Sequence, residues 1–111
     1  MATFNKNQGE SLGVKYGLKI DGSEQVFDAN WQCKLVVKLK SGGLAGATKA
    51  IDKTITTKND SNTRFIATID PSEMAGLAVA DYYFLVEISS ATLKINKEFQ
   101  DKLTVAGQGI N

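Results

Sequence analysis

The chain has no histidine, one cysteine, one proline and one tryptophan among 111 residues, and its formal net charge is +1. Each scarcity excludes something. Without histidine the commonest general base and metal ligand is missing, so neither a Ser-His-Asp nor a Cys-His site can be assembled. A lone thiol, Cys33, cannot form an internal disulfide, so the fold does not rely on an oxidising compartment and must be held by packing. With 13 Lys plus Arg against 12 Asp plus Glu, no overall field draws the chain to nucleic acid or to an anionic membrane. No apolar run approaches the ~20 residues that span a bilayer. The opening "MATFNKNQGESLG" lacks the apolar core of a signal peptide, so synthesis in a cytoplasm, without a signal peptide, is expected.

What the chain does have is alternation. Leu12, Val14, Tyr16, Leu18 and Ile20 share one side of an extended segment whose other side carries Ser11, Gly13, Lys15, Gly17 and Lys19. This period of two marks a half-buried strand, and "DGSE" at Asp21 to Glu24 ends it with turn chemistry. Trp31, Cys33, Leu35, Val37 and Leu39 alternate in the same way with Gln32, Lys34, Val36, Lys38 and Lys40. "SGGLAGATKA" reads as a loop, "IDKTITTK" as an edge strand rich in β-branched residues, "NDSN" as a turn, and "TRFIATI" as a strand with Phe65, Ala67 and Ile69 inward. Tyr82, Phe84, Val86 and Ile88 continue the pattern, and "TLKINKEF" and "KLTV" supply two final strands.

About seven short strands in one domain of this length predict an all-β fold, an immunoglobulin-like antiparallel β-sandwich spanning residues 1–111. Trp31 belongs in its core. The polar arm of residues 1–9 and the tail of residues 106–111 are expected to fray, or to add as strands to a neighbour's sheet edge. One short helical turn is predicted near residues 71–78. Pro71 suits a first helical turn, and Asp70 with Glu73 makes a D-x-x-E capping pattern. Met74, Leu77 and Ala78 give the turn an apolar side, with which it plugs the open end of the sandwich as the chain crosses between sheets.

Chemistry is hard to place on this frame. The parity of Cys33 with Trp31 and Leu35 points it inward, so it reads as a buried structural thiol. "GGLAGATK" lacks the Gly-Lys-Ser/Thr order of a phosphate loop, and a strand rather than a helix follows it. "NDSN" lacks the acidic spacing of a calcium loop. Lys15, Lys19, Lys34, Lys38 and Lys40 read as solvated strand surface, because no aromatics are interleaved with them. No catalytic, cofactor-binding or metal-binding residue is nominated, and no cofactor is expected. Tyr83 and Leu85 stand out as apolar residues on what should be an outer face. Either the loop or the plug helix covers them, or they mark a protein interface.

The order of these features resembles a family of tailed-bacteriophage virion domains, including the N-terminal immunoglobulin-like domain of phage baseplate upper proteins and related small tail, fibre and neck proteins. The resemblance is carried by Gly9, Glu10 and Ser11 opening the first strand, by Asp28 with Trp31, and by Phe65, Pro71, Glu73 and Leu77 through the third strand and turn. Tyr82, Phe84 and Val86 match the following strand, and Leu103, Val105 and Gly107 the closing one. Met74 stands where the family has threonine, and Ala80 and Asp101 where it has glycine. The resemblance implies a non-enzymatic structural protein located in the virion, a homo-oligomer that docks to other virion proteins, without nucleic-acid or membrane partners. A carbohydrate- or receptor-binding module is the alternative, and it should display aromatics clustered with Asn, Asp or Gln in loops.

Overall fold

Along the long strands, alternate side chains leave the solvent. Trp31, Cys33, Leu35 and Val37 are buried while Gln32 and Lys34 are exposed, and Tyr82, Phe84, Val86 and Ile88 are buried in the same rhythm. The computed structural model describes residues 2–43 and 49–107. Its strands are β1 (Thr3–Asn7), β2 (Leu12–Tyr16), β3 (Lys19–Ile20), β4 (Ser23–Glu24), β5 (Trp31–Leu39), β6 (Lys49–Ile55), β7 (Phe65–Ile69), β8 (Ala80–Ser90) and β9 (Ile95–Ala106). One helix, α1 (Pro71–Ala75), and a 3-10 turn at Lys40–Gly42 complete the elements of the described residues.

Five strands form one sheet in the order β1-β9-β8-β5-β6, β2 and β7 form a second, and β3 and β4 make a small hairpin. This is the immunoglobulin-like arrangement: in the large sheet β8 runs antiparallel to both β5 and β9, β2 pairs with β7 on the facing layer, and the first strand joins the last in parallel. Tyr82, near the start of β8, donates its hydroxyl to the carbonyl of Ala78 four residues upstream at 2.8 Å, the tyrosine corner of such sandwiches. In antibody domains a cysteine two residues further on joins the sheets through a disulfide. Here that position is Phe84, whose ring stacks on Tyr16 of β2 with centroids 6.4 Å apart. A ring pair replaces the cross-link.

Two aromatic groups fill the core. At one end Phe27 lies 5.2 Å from Trp31 and 4.6 Å from Phe65; at the other, Tyr16 meets Phe99 at 5.0 Å and Phe4 meets Phe84 at 5.4 Å. Edge-on and offset ring contacts of this kind contribute beyond their buried area. Phe27 sits outside any strand, so alternation does not mark it, yet it is among the most deeply buried side chains. Lys58 holds it by donating to its carbonyl at 3.0 Å.

The expected outlines are corrected in four places. The arm of residues 1–9 is not frayed: residues 3–7 form β1, pairing in parallel with Lys102–Ala106, because Phe4 packs on Phe84 and the amide of Ala2 donates to Asp101 at 2.9 Å. Of the tail at 106–111, Ala106 closes β9 and residues 108–111 lie outside the described residues. The two closing strands are one, β9, since nothing between Phe99 and Leu103 breaks an extended chain. The first long strand stops at Tyr16, where its pairing with β7 ends; at Gly17 the Thr63 carbonyl comes so close that a side chain would lie within 2.8 Å of it, and Leu18 to Glu24 then turn away as a hairpin. Asp21 and Gly22, both at positive φ, form its two-residue turn.

The helix lies within the predicted 71–78 window but ends at Ala75, so Ala78 is exposed rather than inward. Met74 and Leu77 are buried, as the plug requires. Glu73 accepts the Asp70 amide at 2.9 Å in a capping box, and it also accepts from Lys53 of β6 at 2.7 Å. Five residues cannot sustain a helix in water, so these tertiary contacts hold it.

Trp31 is 6% exposed, and Trp31→Ala should cost about 3–5 kcal/mol in denaturant melts. Burial disfavours the charged form of Glu73, but the Asp70 amide and Lys53 outweigh it and hold the carboxyl below its ordinary 4.5. A lowered folded-state value means stability that is present above the unfolded value and lost on acidification. The stability gap between wild type and Glu73→Gln should therefore be constant above pH 4.5 and close below it in melts across pH.

Candidate functional site: the outer face of the large sheet

Residues that alternate with the core set point away from the sandwich on β5, β8 and β9, and the ladder places them in rows. Leu85 lies between Val36 and Gln100, Tyr83 between Lys38 and Lys102, and Glu87 between Lys34 and Glu98. The central row is therefore apolar on β5 and β8 and polar on β9. Toward one end lie two glutamates and Lys34; toward the other lie Lys38 and Lys102, with Lys40 from the 3-10 turn and Lys49 from β6. Lys49 forms an ion pair with Asp52 at 3.2 Å. The hydrogen bond and like charge of Lys40 beside Lys102 push the Lys102 ammonium below its ordinary value, as expected where cations crowd. A shallow depression of about 450 Å³ runs over this face, floored by Val36 and Leu85 and walled by Lys38, Glu87 and Glu98.

Tyr83 and Leu85, the two residues singled out as a possible interface, thus share one surface and are half-buried on it. The plug helix does not cover them. It sits between the layers, with Met74 in the core and Glu73 on the inner side of β6 at Lys53. Polar side chains flank them on both adjacent strands, and the loop expected as their other possible cover lies mostly outside the described residues.

The lysines expected as solvated strand surface divide between layers. Lys34 and Lys38 lie on this face, Lys15 on β2 opposite Ile66, and Lys19 on the small hairpin. Lys49 and Lys102 join the face although sequence reading missed them. Lys49 follows a glycine-rich segment with no visible period, and the parity of Lys102 emerges only when β9 is seen as one strand. The "GGLAGATK" segment lies mostly outside the described residues, at 44–48. "NDSN" is a turn in which Asn59 Oδ1 accepts the amides of Thr63 at 2.9 Å and Arg64 at 3.0 Å. That oxygen is committed to the turn.

Aromatics do not gather on any exposed loop. Trp31, Tyr16 and Tyr82 are buried, and Tyr83 is the aromatic residue that faces outward on the large sheet. The Tyr16 hydroxyl donates to Asp101, and burial together with that carboxyl raises its pKa. Cys33, fully buried, has its thiol pushed up to about 12 by loss of solvent. No protein-family model matches the chain, and no curated protein matches it either.

A thiol so placed is neither accessible nor ionised at neutral pH. Folded protein should leave an aromatic disulfide reagent unreacted over the time in which denaturant-unfolded protein consumes one equivalent, read by absorbance; rapid reaction of the folded form would contradict the buried position.

Proposed function

We propose that this chain is a non-enzymatic structural component of a tailed-phage virion, working by docking to other virion proteins through the outer face of its large sheet. The observation that carries the reading is the apolar patch at the centre of that face, drawn from two adjacent rows. Leu85, Val36 and Tyr83 present apolar surface on a rigid, hydrogen-bonded support, with charges of opposite sign at its two ends. Apolar centres rimmed by polar groups suit protein interfaces, where the centre supplies affinity and the rim supplies orientation. The resemblance of the order of sequence features to phage baseplate, tail, fibre and neck domains supports the setting. Self-association within the particle belongs to the same proposal.

The carbohydrate-binding alternative has less to stand on. A sugar platform needs aromatic faces in reach of solvent, and the buried positions of Trp31, Tyr16 and Tyr82 leave Tyr83 without an aromatic companion on its face.

Mass spectrometry of purified phage particles encoding this chain should find it at stoichiometric abundance, and its absence would end the proposal. A Tyr83→Ser, Leu85→Lys variant leaves the core untouched and should keep the wild-type melt. Its incorporation into particles should fall by about tenfold or more, corresponding to ~1.4 kcal/mol of lost docking.

A further inference from the structure

The edge of the large sheet is only half closed. β1 pairs with β9 from Lys102 to Ala106, and the amide of Lys102 donates to the Ala2 carbonyl at 2.9 Å. Main-chain groups point to alternate sides along a strand, so Asn96, Glu98 and Gln100 direct their N–H and C=O groups toward the same edge as Lys102. Among the described residues no strand meets them there. Directly inside this open stretch lies a cleft of about 370 Å³ between the small hairpin and β9. Its apolar walls are Leu18, Ile20, Ile95 and Phe99, all half-buried, and its charged groups are Lys19 and Lys97, with no carboxylate in the lining. Asn96 faces the outer surface yet also lines the cleft, so the cleft opens onto the edge itself.

We infer that Ile95–Gln100 is a strand-acceptor site, which takes an extended segment of a partner protein whose inward-facing side chains, at every second position, are apolar and acidic in turn, with uncharged residues between them on the outer side. The segment would lie in line with β1 and complete the sheet edge. Main-chain hydrogen bonds to Asn96 and Glu98 supply affinity, as in strand addition generally, and side chains turned inward meet the cleft. An apolar side chain fills the space between Leu18 and Phe99, and a carboxylate meets Lys97 or Lys19. The open stretch of six residues spans about 20 Å.

A second copy of this chain does not fit as the occupant. Antiparallel self-pairing centred on Glu98 sets Glu98 opposite Glu98, and pairing centred on Lys97 sets Lys97 opposite Lys97. Like charges directly opposite are destabilising. Pairing centred on Phe99 would bring Asn96 of the copy opposite Lys102, a place already filled by the chain's own N-terminal strand, and pairing centred on Asn96 runs into Lys94 at positive φ, so only Ile95 to Lys97 would pair. The charges that bar self-pairing leave the edge open to a strand of different sequence. The site uses the backbone edge of β9 rather than the outer face, although the side chains of Glu98 and Gln100 also line that face, and it does not depend on the virion reading.

The test uses the full chain and three capped seven-residue peptides: a Val-Glu peptide with Val and Glu in turn at the odd positions and Thr at the even ones, a Val-Lys peptide with Lys in place of Glu, and the Val-Glu peptide with alternate amides N-methylated. In amide NMR spectra, the Val-Glu peptide should shift Asn96 and Glu98 saturably and slow their hydrogen exchange. The Val-Lys peptide should bind about tenfold more weakly or worse, and the N-methylated peptide should not bind. Lys97→Glu should reverse the preference between Val-Glu and Val-Lys. Glu98→Pro removes an N–H directed at the open edge rather than at β8, and should abolish binding with the melt retained. Absence of saturable shifts at Asn96 and Glu98, equal binding of the Val-Glu and Val-Lys peptides, or an unchanged preference in Lys97→Glu would overturn the inference. Should Glu98→Pro unfold the chain, Lys97→Glu still decides.

Discussion

Two sheets must be joined without a covalent link, and Tyr16 makes the joint. Its ring leaves β2, stacks on Phe84 of β8 and leans against Phe99 of β9, while its hydroxyl donates to Asp101. Asp101 in turn accepts the amide of Ala2, at the head of β1. Four strands therefore meet around one side chain. A buried hydroxyl without a partner would cost free energy, and here the partner is the group that also anchors the first strand. Asp101 thus closes the sheet edge as far as Lys102 and no further.

The plug helix obeys the same economy of contacts. Asp70, Pro71 and Glu73 supply a local preference for one turn of helix, but a preference of that size does not outlast solvent. Burial of Met74 and Leu77, with Lys53 reaching across from β6, turns the preference into structure. The tyrosine corner follows at once, with Tyr82 tied to Ala78, so the crossing from the small sheet to the large one is held at both ends. Its role is geometric: it sets the register in which β8 presents Tyr83 and Leu85 outward.

Both surfaces with interaction potential follow from that register. On the outer face, alternation along three adjacent strands collects Val36, Leu85 and Tyr83 into one patch between separated charges. At the edge, the mismatch between a twelve-residue β9 and a five-residue β1 leaves main-chain groups exposed beside an apolar cleft. One surface offers side chains and the other offers backbone, so they select different kinds of partner.

Strand alternation, the burial of Trp31, Cys33, Phe65 and Phe84, the capped turn after Asp70 and the immunoglobulin-like class were all legible in the sequence, because each rests on periods or caps spanning a few neighbouring residues. Tyr83 and Leu85 were legible as apolar residues out of phase, though not as one patch with Lys49 and Lys102. The tertiary structure alone decided that the polar first residues form a strand, that Phe27 is core, that the closing strands are continuous, and that half of β9 stays open. These depend on contacts between residues far apart in the chain, such as Phe4 with Phe84 and Ala2 with Asp101, and no local pattern encodes which distant partner will be there.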